Sequence, residues 1–412
     1  MIETVSIKNG PMLYLYEDSK RHSVFFEIVT KFGGITKDFI SDGKEYHLQD
    51  GVAHILEHYV VENNDVGNFL SILGDRQMYT NASTDNYTTR YYFEAVEDYL
   101  DGIKTLLDGL YSVQFSDEKL DKLKNPIYQE IRGKMNSKFY HANIKEIENL
   151  FHGTSFKSVG GTIEEVKDTT VEDIKICYET FYQPSNQVIF IGGNFNKEKI
   201  VKLIEDFYKK LNLKKVDFSI ISKQEKDSVV KKEDVIEFPT EQDYVHISYK
   251  INMSKFSNRK RLDYDFYLSY FNQMFFGKTS KLYKELVKNK IITGSISTGC
   301  TLFDNYLILS IGTFTDYTDI FVDKVINTIK KLDSFNKELF DLNIKNTIIS
   351  LILREENIIH TLFPFVDNVL YYDYPYIDKI SDIENMNYNE FVKSMKELDF
   401  SNYTITKIVN KK

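Results

Sequence analysis

The chain has 412 residues, 42% of them hydrophobic and 27% charged, with a net charge of −9. Those values fit a soluble globular protein of two or more domains and argue against nucleic acid, which calls for a basic footprint. Two isolated cysteines, Cys177 and Cys300, make no metal-type spacing and suit a reducing compartment. No stretch reaches ~18 apolar residues, so no transmembrane helix is expected. Met1–Lys8 has no basic segment followed by an apolar run, so no signal peptide is expected and the cytoplasm is the default location.

Residues 2–31 read as strands, with a turn at Asn9-Gly10-Pro11 and a near-continuous apolar run, Val24–Val29, suited to a central strand. Thr36–Asp50 is polar and carries the chain to Gly51–Val61, an amphipathic helix. His54 and His58 are four residues apart and share a face of that helix, a spacing that suits two imidazoles on one tetrahedral metal ion. Glu57 sits at the edge of the same face, where a carboxylate reaches a metal-held water without being a ligand. The order is His-x-x-Glu-His, the reverse of the commoner His-Glu-x-x-His. With 8 His in the chain, chance gives this pattern on the order of 0.01 times. The plain alternative, two ordinary histidines on a helix, is further weakened by the apolar flanks Ile55, Leu56, Val60 and Val61, because buried polar groups need partners.

A short helix, Phe69–Leu73, ends at Gly74, and Tyr79–Ala95 alternates as a strand pair. Tyr99–Tyr111 is an amphipathic helix, and Phe115–Lys119 caps another. A helix is then predicted to start with Asn125 as N-cap and Pro126 as its first residue. It carries Ile127, Glu130, Ile131 and Met135 on one stripe. A catalytic metal needs a third protein ligand, and many carboxylates could serve. Glu130 stands out as a lone acid on an apolar stripe, although a salt bridge to a nearby Lys or Arg explains it equally well.

Thr169–Ile174 begins a further helix, and Val188–Gly193 is a buried strand. Residues 216–234 are charged and repetitive and read as a linker between domains 1–215 and 235–412. After it, strands 235–238 and 244–249, helices 263–276 and 280–288, strands 294–301 and 306–313, and helices 319–332 and 337–354 repeat the strand-then-helix order of the first half. The fold class expected is α+β: two related sandwich domains, each an antiparallel-rich sheet with helices packed on it. His152 reads as a loop residue, and His246 and His360 as structural.

Gly51-x-Ala53-His54-x-Leu56-Glu57-His58 resembles the pitrilysin family of inverted zincins, which includes insulysin and the mitochondrial processing peptidase. The family's third ligand is a downstream Glu in a segment ending Gln-Glu-Ile, which Gln129-Glu130-Ile131 matches, and its Asn-Ala-x-Thr block appears as Asn81-Ala82-Ser83-Thr84. The resemblance implies one Zn²⁺ per chain held by His54, His58 and Glu130, with Glu57 as general base. It also implies an edge strand where Asn81 and Ala82 hold a peptide substrate, and one half of a clamshell.

Two departures from the family pattern bear on activity. The second-half Arg and Tyr that bind the substrate carbonyl are replaced by Val287 and Gly294, and neither can donate a hydrogen bond from a side chain. Leu123 stands where the family usually has a supporting acid. The expectation is a zinc metalloendopeptidase for short unfolded peptides. It is the zinc-bearing chain of a heterodimer with a related chain that supplies the Arg and Tyr, in preference to a homodimer, with no nucleic-acid or membrane partner. The alternative is a catalytically silent scaffold or peptide-binding subunit of a larger complex.

Overall fold

The computed structural model describes residues 2–154, 156–211, 213–222, 224–373 and 379–411. It divides into two compact units: Met1–Lys134 with Phe156–Ser222 and Ile358–Leu362, and Met135–Ser155 with Lys223–Asn357 and Phe363–Lys412. The chain runs β1 (Ile2–Ser6), β2 (Met12–Glu17), β3 (Val24–Thr30), β4 (Asp38–Ser41), β5 (Lys44–His47), α1 (Val52–Glu62), α2 (Phe69–Asp75), β6 (Tyr79–Thr84) and β7 (Thr89–Ala95). It continues through α3 (Tyr99–Leu110), α4 (Asp117–Met135), α5 (Lys138–Leu150), α6 (Ile163–Asp168), α7 (Val171–Phe181), β8 (Gln187–Gly193), α8 (Lys197–Lys210) and β9 (Phe218–Ile220). Then come β10 (Glu233–Phe238), β11 (Tyr244–Asn252), α9 (Asn258–Phe276), α10 (Lys281–Lys288), β12 (Ser297–Phe303) and β13 (Tyr306–Phe314). The last elements are α11 (Thr318–Lys331), α12 (Lys337–Arg354), α13 (Ile358–Tyr372), α14 (Lys379–Glu384), α15 (Tyr388–Glu397) and β14 (Tyr403–Asn410).

The first unit is built on a sheet of order β1-β2-β8-β3-β7-β6. Only β2 and β8 pair in parallel; every other neighbouring pair is antiparallel. The central strand β3 is buried at every position, as its apolar run predicts. Helices α1, α3, α7 and α8 bring Leu56, Val60, Leu106, Ile174 and Ile204 into one core with Phe26, Ile28 and Phe93 of the sheet. The α+β class with helices packed on an antiparallel-rich sheet is therefore as expected.

Three expectations need correction. Asn125 and Pro126 do not start a helix: they lie inside the continuous helix α4. Leu120, Leu123, Ile127 and Ile131 form its buried stripe, and the exposed position of Pro126 leaves the one carbonyl it cannot bond open to water. Met135 is 43% exposed and does not belong to the stripe. The Thr36–Asp50 approach to α1 is structured: β4 and β5 form a hairpin, and β9 joins it as a third strand. Part of the 216–234 stretch read as a linker is therefore strand, and β10 already begins at Glu233.

The second unit has a sheet of order β10-β14-β11-β13-β12, again with one parallel pair, β10 with β14, at one end. Its core joins Ile247 and Leu309 of the sheet to Tyr264, Phe271, Phe321 and Phe391 of the helices.

Candidate metal centre

Helix α1 is buried almost all round; of its residues only His58 and Glu62 open outward. A helix apolar on every side is an interior helix, so any polar group on it has to be accounted for. Its start is set by backbone geometry. Gly51 has φ 90°, and a Cβ there would lie 2.7 Å from the Gly160 carbonyl oxygen. Gly161 has φ 66°, and its Cβ would lie 2.5 Å from the Asp50 carbonyl oxygen. Only glycine fits these two positions. Asp50, fully buried, accepts from Lys37 Nζ and from the Lys157 backbone N–H at 2.7 Å. The 157–161 loop is thus clamped onto the first turn of α1.

The structure brings His54, His58 and Glu130 together: one donor atom from each lies within 4.8 Å of the others. His54 Nε2 and His58 Nε2 are 3.2 Å apart, with the rings at 89° to one another. Glu130 Oε2 is 3.5 Å from His54 Nε2 and 3.9 Å from His58 Nε2. A tetrahedral zinc with bonds of ~2.0–2.2 Å separates its donors by about 3.3–3.6 Å; two of the three separations lie at that spacing and the third, His58 to Glu130 at 3.9 Å, is a few tenths of an ångström longer. The donor chemistry, two imidazoles and a carboxylate, fits as well.

The electrostatics keep His54 and Glu130 in the forms a metal takes. Burial, with His58 next to it, lowers the His54 pKa to about 4, so its ring is neutral at pH 7. His54 Nδ1 is buried with no hydrogen-bond partner among the described residues. Partial burial pushes Glu130 upward, but the Lys134 hydrogen bond and the two histidines outweigh it and hold the carboxylate below its ordinary range. The salt bridge expected for Glu130 is present and leaves one oxygen over: Oε1 pairs with Lys134 Nζ at 2.6 Å while Oε2 faces the histidines. Leu123 is 2% exposed in the core; the charged group that holds Glu130 is Lys134, one helical turn on.

Glu57 is 7% exposed, and burial raises its pKa against the opposing hydrogen bond from Thr84. That bond, Thr84 Oγ1 to Glu57 Oε2 at 2.7 Å, comes from β6. Sequence reasoning assigned Thr84 no contact; its signal was the two-residue period that puts it on the same face of β6 as Ala82. β6 is the edge strand of the sheet. The Asn81 side chain spans that edge: its Oδ1 accepts from the Ala82 N–H at 2.9 Å, and its Nδ2 donates to the Tyr92 hydroxyl at 3.2 Å. The whole site opens into a cleft of about 440 Å³, lined by His54, Glu57, His58, Val61, Glu62, Leu70, Asn81–Thr84, Glu130, Lys134 and Val159. Val287 is 41% exposed on α10, and Gly294 lies in the loop before β12.

Residues 42–155 match the family model described as Insulinase (Peptidase family M16), and residues 168–347 match the model described as Peptidase M16 inactive domain. The uncharacterized zinc protease YmfH of Bacillus subtilis is 26% identical over 317 residues, which span 76% of this chain and 74% of that protein. An Arabidopsis thaliana protein named "Probable mitochondrial-processing peptidase subunit beta" is 23% identical over 176 residues, 40% of this chain and 32% of that one. The crystal structure of an M16-like peptidase from Alicyclobacillus acidocaldarius superposes with a TM-score of 0.89 at 21% identity, covering 100% of this chain and 98% of that one, which bears on the fold. The family models together span both units, and the chain belongs to the insulinase (M16) family of peptidases, the pitrilysin family its sequence resembles.

Proposed function

We propose that the chain is a zinc-dependent endopeptidase for short unfolded peptides, with His54, His58 and Glu130 as ligands and Glu57 as general base. The observation that carries the reading is the convergence of those three donor atoms beside a buried carboxylate that is no part of the set. Zinc held there would polarise the scissile carbonyl and lower the pKa of its bound water toward ~7.

The remaining work falls to the chain's own side chains. Thr84 fixes one oxygen of Glu57, leaving the other to accept a proton from water and return it to the leaving amine. Burial keeps His54 neutral, so Nε2 offers its lone pair at neutral pH. Lys134 holds Glu130 by one oxygen and leaves the other facing the histidines. The free edge of β6 suits strand addition by an extended peptide; Asn81 must first release the Ala82 N–H that it caps.

With Val287 and Gly294 in place of the family's Arg and Tyr, the chain lacks side-chain donors for the carbonyl oxygen there. This supports pairing with a related chain that has them, as does the subunit name of the Arabidopsis relative. Losing such a donor costs ~10²–10³ in rate. The second reading, a silent peptide-binding subunit, is favoured by the "inactive domain" description of the model matched at residues 168–347. Glu57→Gln separates the two. On the hydrolase reading it lowers peptide cleavage by ~10²–10⁴ while zinc stays bound. Cleavage that is undetectable in the wild-type chain, alone and with related partner chains, supports the silent reading.

A further inference from the structure

We propose that the metal centre is completed by a small anion, a carboxylate or a halide, held over Gly160 between His54 Nδ1 and the ammonium of Lys134. The inference rests on the metal-centre reading above and adds an outer group to it. The two ring nitrogens of His54 have different surroundings. Nε2 faces His58 Nε2 at 3.2 Å and Glu130 Oε2 at 3.5 Å. An imidazole that offers its Nε2 lone pair to a metal carries its proton on Nδ1. Nδ1 therefore has a hydrogen to donate, yet it is buried with no hydrogen-bond partner among the described residues. A metal-bound imidazole nearly always gives its second N–H to a carboxylate, a carbonyl or a water, and that bond fixes the ring and raises its basicity. Leaving a buried donor unpaired is costly.

The backbone beside Nδ1 leaves room for the acceptor. Gly160 is not among the glycines with positive φ, so a side chain there meets no backbone strain. A Cβ on Gly160 would lie 3.8 Å from His54 Nδ1 and 3.8 Å from Lys134 Nζ, both ordinary contacts, and these are the atoms it would meet within 4 Å. A small group over Gly160 thus touches the imidazole N–H on one side and the ammonium on the other. The loop is held in place, because the Asp50 carboxylate accepts from the Lys157 backbone N–H at 2.7 Å.

Charge decides between an anion and a water. Lys134 uses one N–H on Glu130 Oε1 at 2.6 Å, and an ammonium has three. Glu57 and Glu130 are the carboxylates at the centre; Glu62, the other carboxylate of the cleft, is exposed one helical turn further along α1. Zinc and Lys134 together outweigh Glu57 and Glu130, so the loaded centre keeps an excess of positive charge that an anion cancels and a water does not. A carboxylate also takes charge-assisted bonds, roughly twice as strong as neutral ones. Without zinc the balance is reversed: two carboxylates oppose one ammonium, and an anion is repelled. Metal and anion therefore bind together, each raising the affinity of the other by the same factor.

The test measures zinc affinity by competition with a fluorescent chelator. Sodium formate, the smallest carboxylate, replaces sodium methanesulfonate at constant ionic strength. For the wild-type chain the zinc dissociation constant should fall by about 10-fold as formate saturates. Gly160→Asp supplies the carboxylate from the chain itself: in methanesulfonate it should bind zinc about 10-fold more tightly than the wild type, and formate should add nothing. Gly160→Ala fills the same position without a charge and should show no such gain. Lys134→Met should lose the formate response, whatever its own effect on zinc, and it serves should Gly160→Asp fail to fold. Wild-type affinity that ignores formate overturns the proposal. So does a formate response that persists in Gly160→Asp or in Lys134→Met, since formate would then sit on the zinc itself. Zinc uptake without the formate effect fails this proposal alone; no zinc uptake under any of these conditions fails the metal-centre reading and this proposal with it.

Discussion

The two units build one sheet twice. In the first, β2 pairs in parallel with β8, and β3, β7 and β6 follow antiparallel; in the second, β10 pairs in parallel with β14, and β11, β13 and β12 follow antiparallel. The helix pair after the third strand of this series is α1–α2 in one and α9–α10 in the other. The same slot therefore holds His54, Glu57 and His58 in the first unit, and a helix carrying Tyr264, Tyr267, Tyr270 and Phe271 in the second. The second unit also has a cleft of about 480 Å³ between α9 and its edge strand β12, lined by Asp265, Ser269, Asn272 and Cys300 among others. Orphaned buried polar atoms occur in both units, His54 Nδ1 in one and Asn272 Oδ1 in the other. Among the described residues, three metal-type donors converge only in the first. The scaffold supplies a cleft beside an edge strand in each unit; side chains from α1 and α4 give the first one a metal-type donor set.

Both units fasten segments with a buried ion pair, Asp50 with Lys37 in the first and Glu225 with Lys250 in the second. In the second unit Lys250, 1% exposed, donates to Glu225 and to the carbonyls of Leu150 and Lys226, and lies over the Phe151 and Tyr306 rings. It fastens the 224–230 segment and the end of α5 to the sheet. In the first, the polar groups of α1 face the cleft. Substitutions in the second unit should therefore act on stability, and those on α1 and β6 on chemistry.

The largest effect expected is for Lys250→Met. Removing one partner of a buried ion pair should lower the free energy of unfolding by about 3–5 kcal/mol, read by urea denaturation, with cleavage per folded molecule unchanged. A loss of rate in the folded fraction would break the division of labour. Next is Thr84→Val, which deprives Glu57 of its hydrogen bond. It should reduce kcat by about 10–100-fold while the zinc content stays at the wild-type level; unchanged kcat would mean that Thr84 does not position the base.

Smaller is the effect of Glu57→Gln on the metal-free protein. A buried carboxylate whose pKa is raised by desolvation is a stability cost retained for function, so the substitution should raise the unfolding free energy by about 1 kcal/mol. A lower urea midpoint would contradict this. The last concerns His246, 5% exposed on β11. Burial lowers its pKa, with Glu146 opposing. The unfolded chain therefore takes up a proton below pH ~6.5 that the native state does not, and stability falls as pH falls, by at most about 1.4 kcal/mol per pH unit. His246→Phe should flatten that part of the stability profile; an unaltered slope would show that His246 is not its source.

Much of this was legible in the chain where the signal is local. The His-x-x-Glu-His spacing needs only helical geometry, and the apolar run of β3 announces a central strand. Local signals misled at Asn125-Pro126, where capping preference lost to the longer apolar stripe of Leu120, Leu123, Ile127 and Ile131. Non-local pairing was not legible. The β4–β5–β9 sheet joins short polar strands from opposite ends of the first unit, and β14 returns from the end of the described chain to lie parallel with β10. Thr84 was visible as part of a motif, but its bond to Glu57 exists only once β6 lies against α1.

The most direct test is the metal content of the chain, purified without a metal-affinity column and read by elemental mass spectrometry. The account predicts about one zinc per chain, lost in His58→Ala and in Glu130→Ala but retained in Glu57→Gln. No zinc in the wild-type chain after incubation with excess metal, or zinc that survives both ligand substitutions, would contradict it.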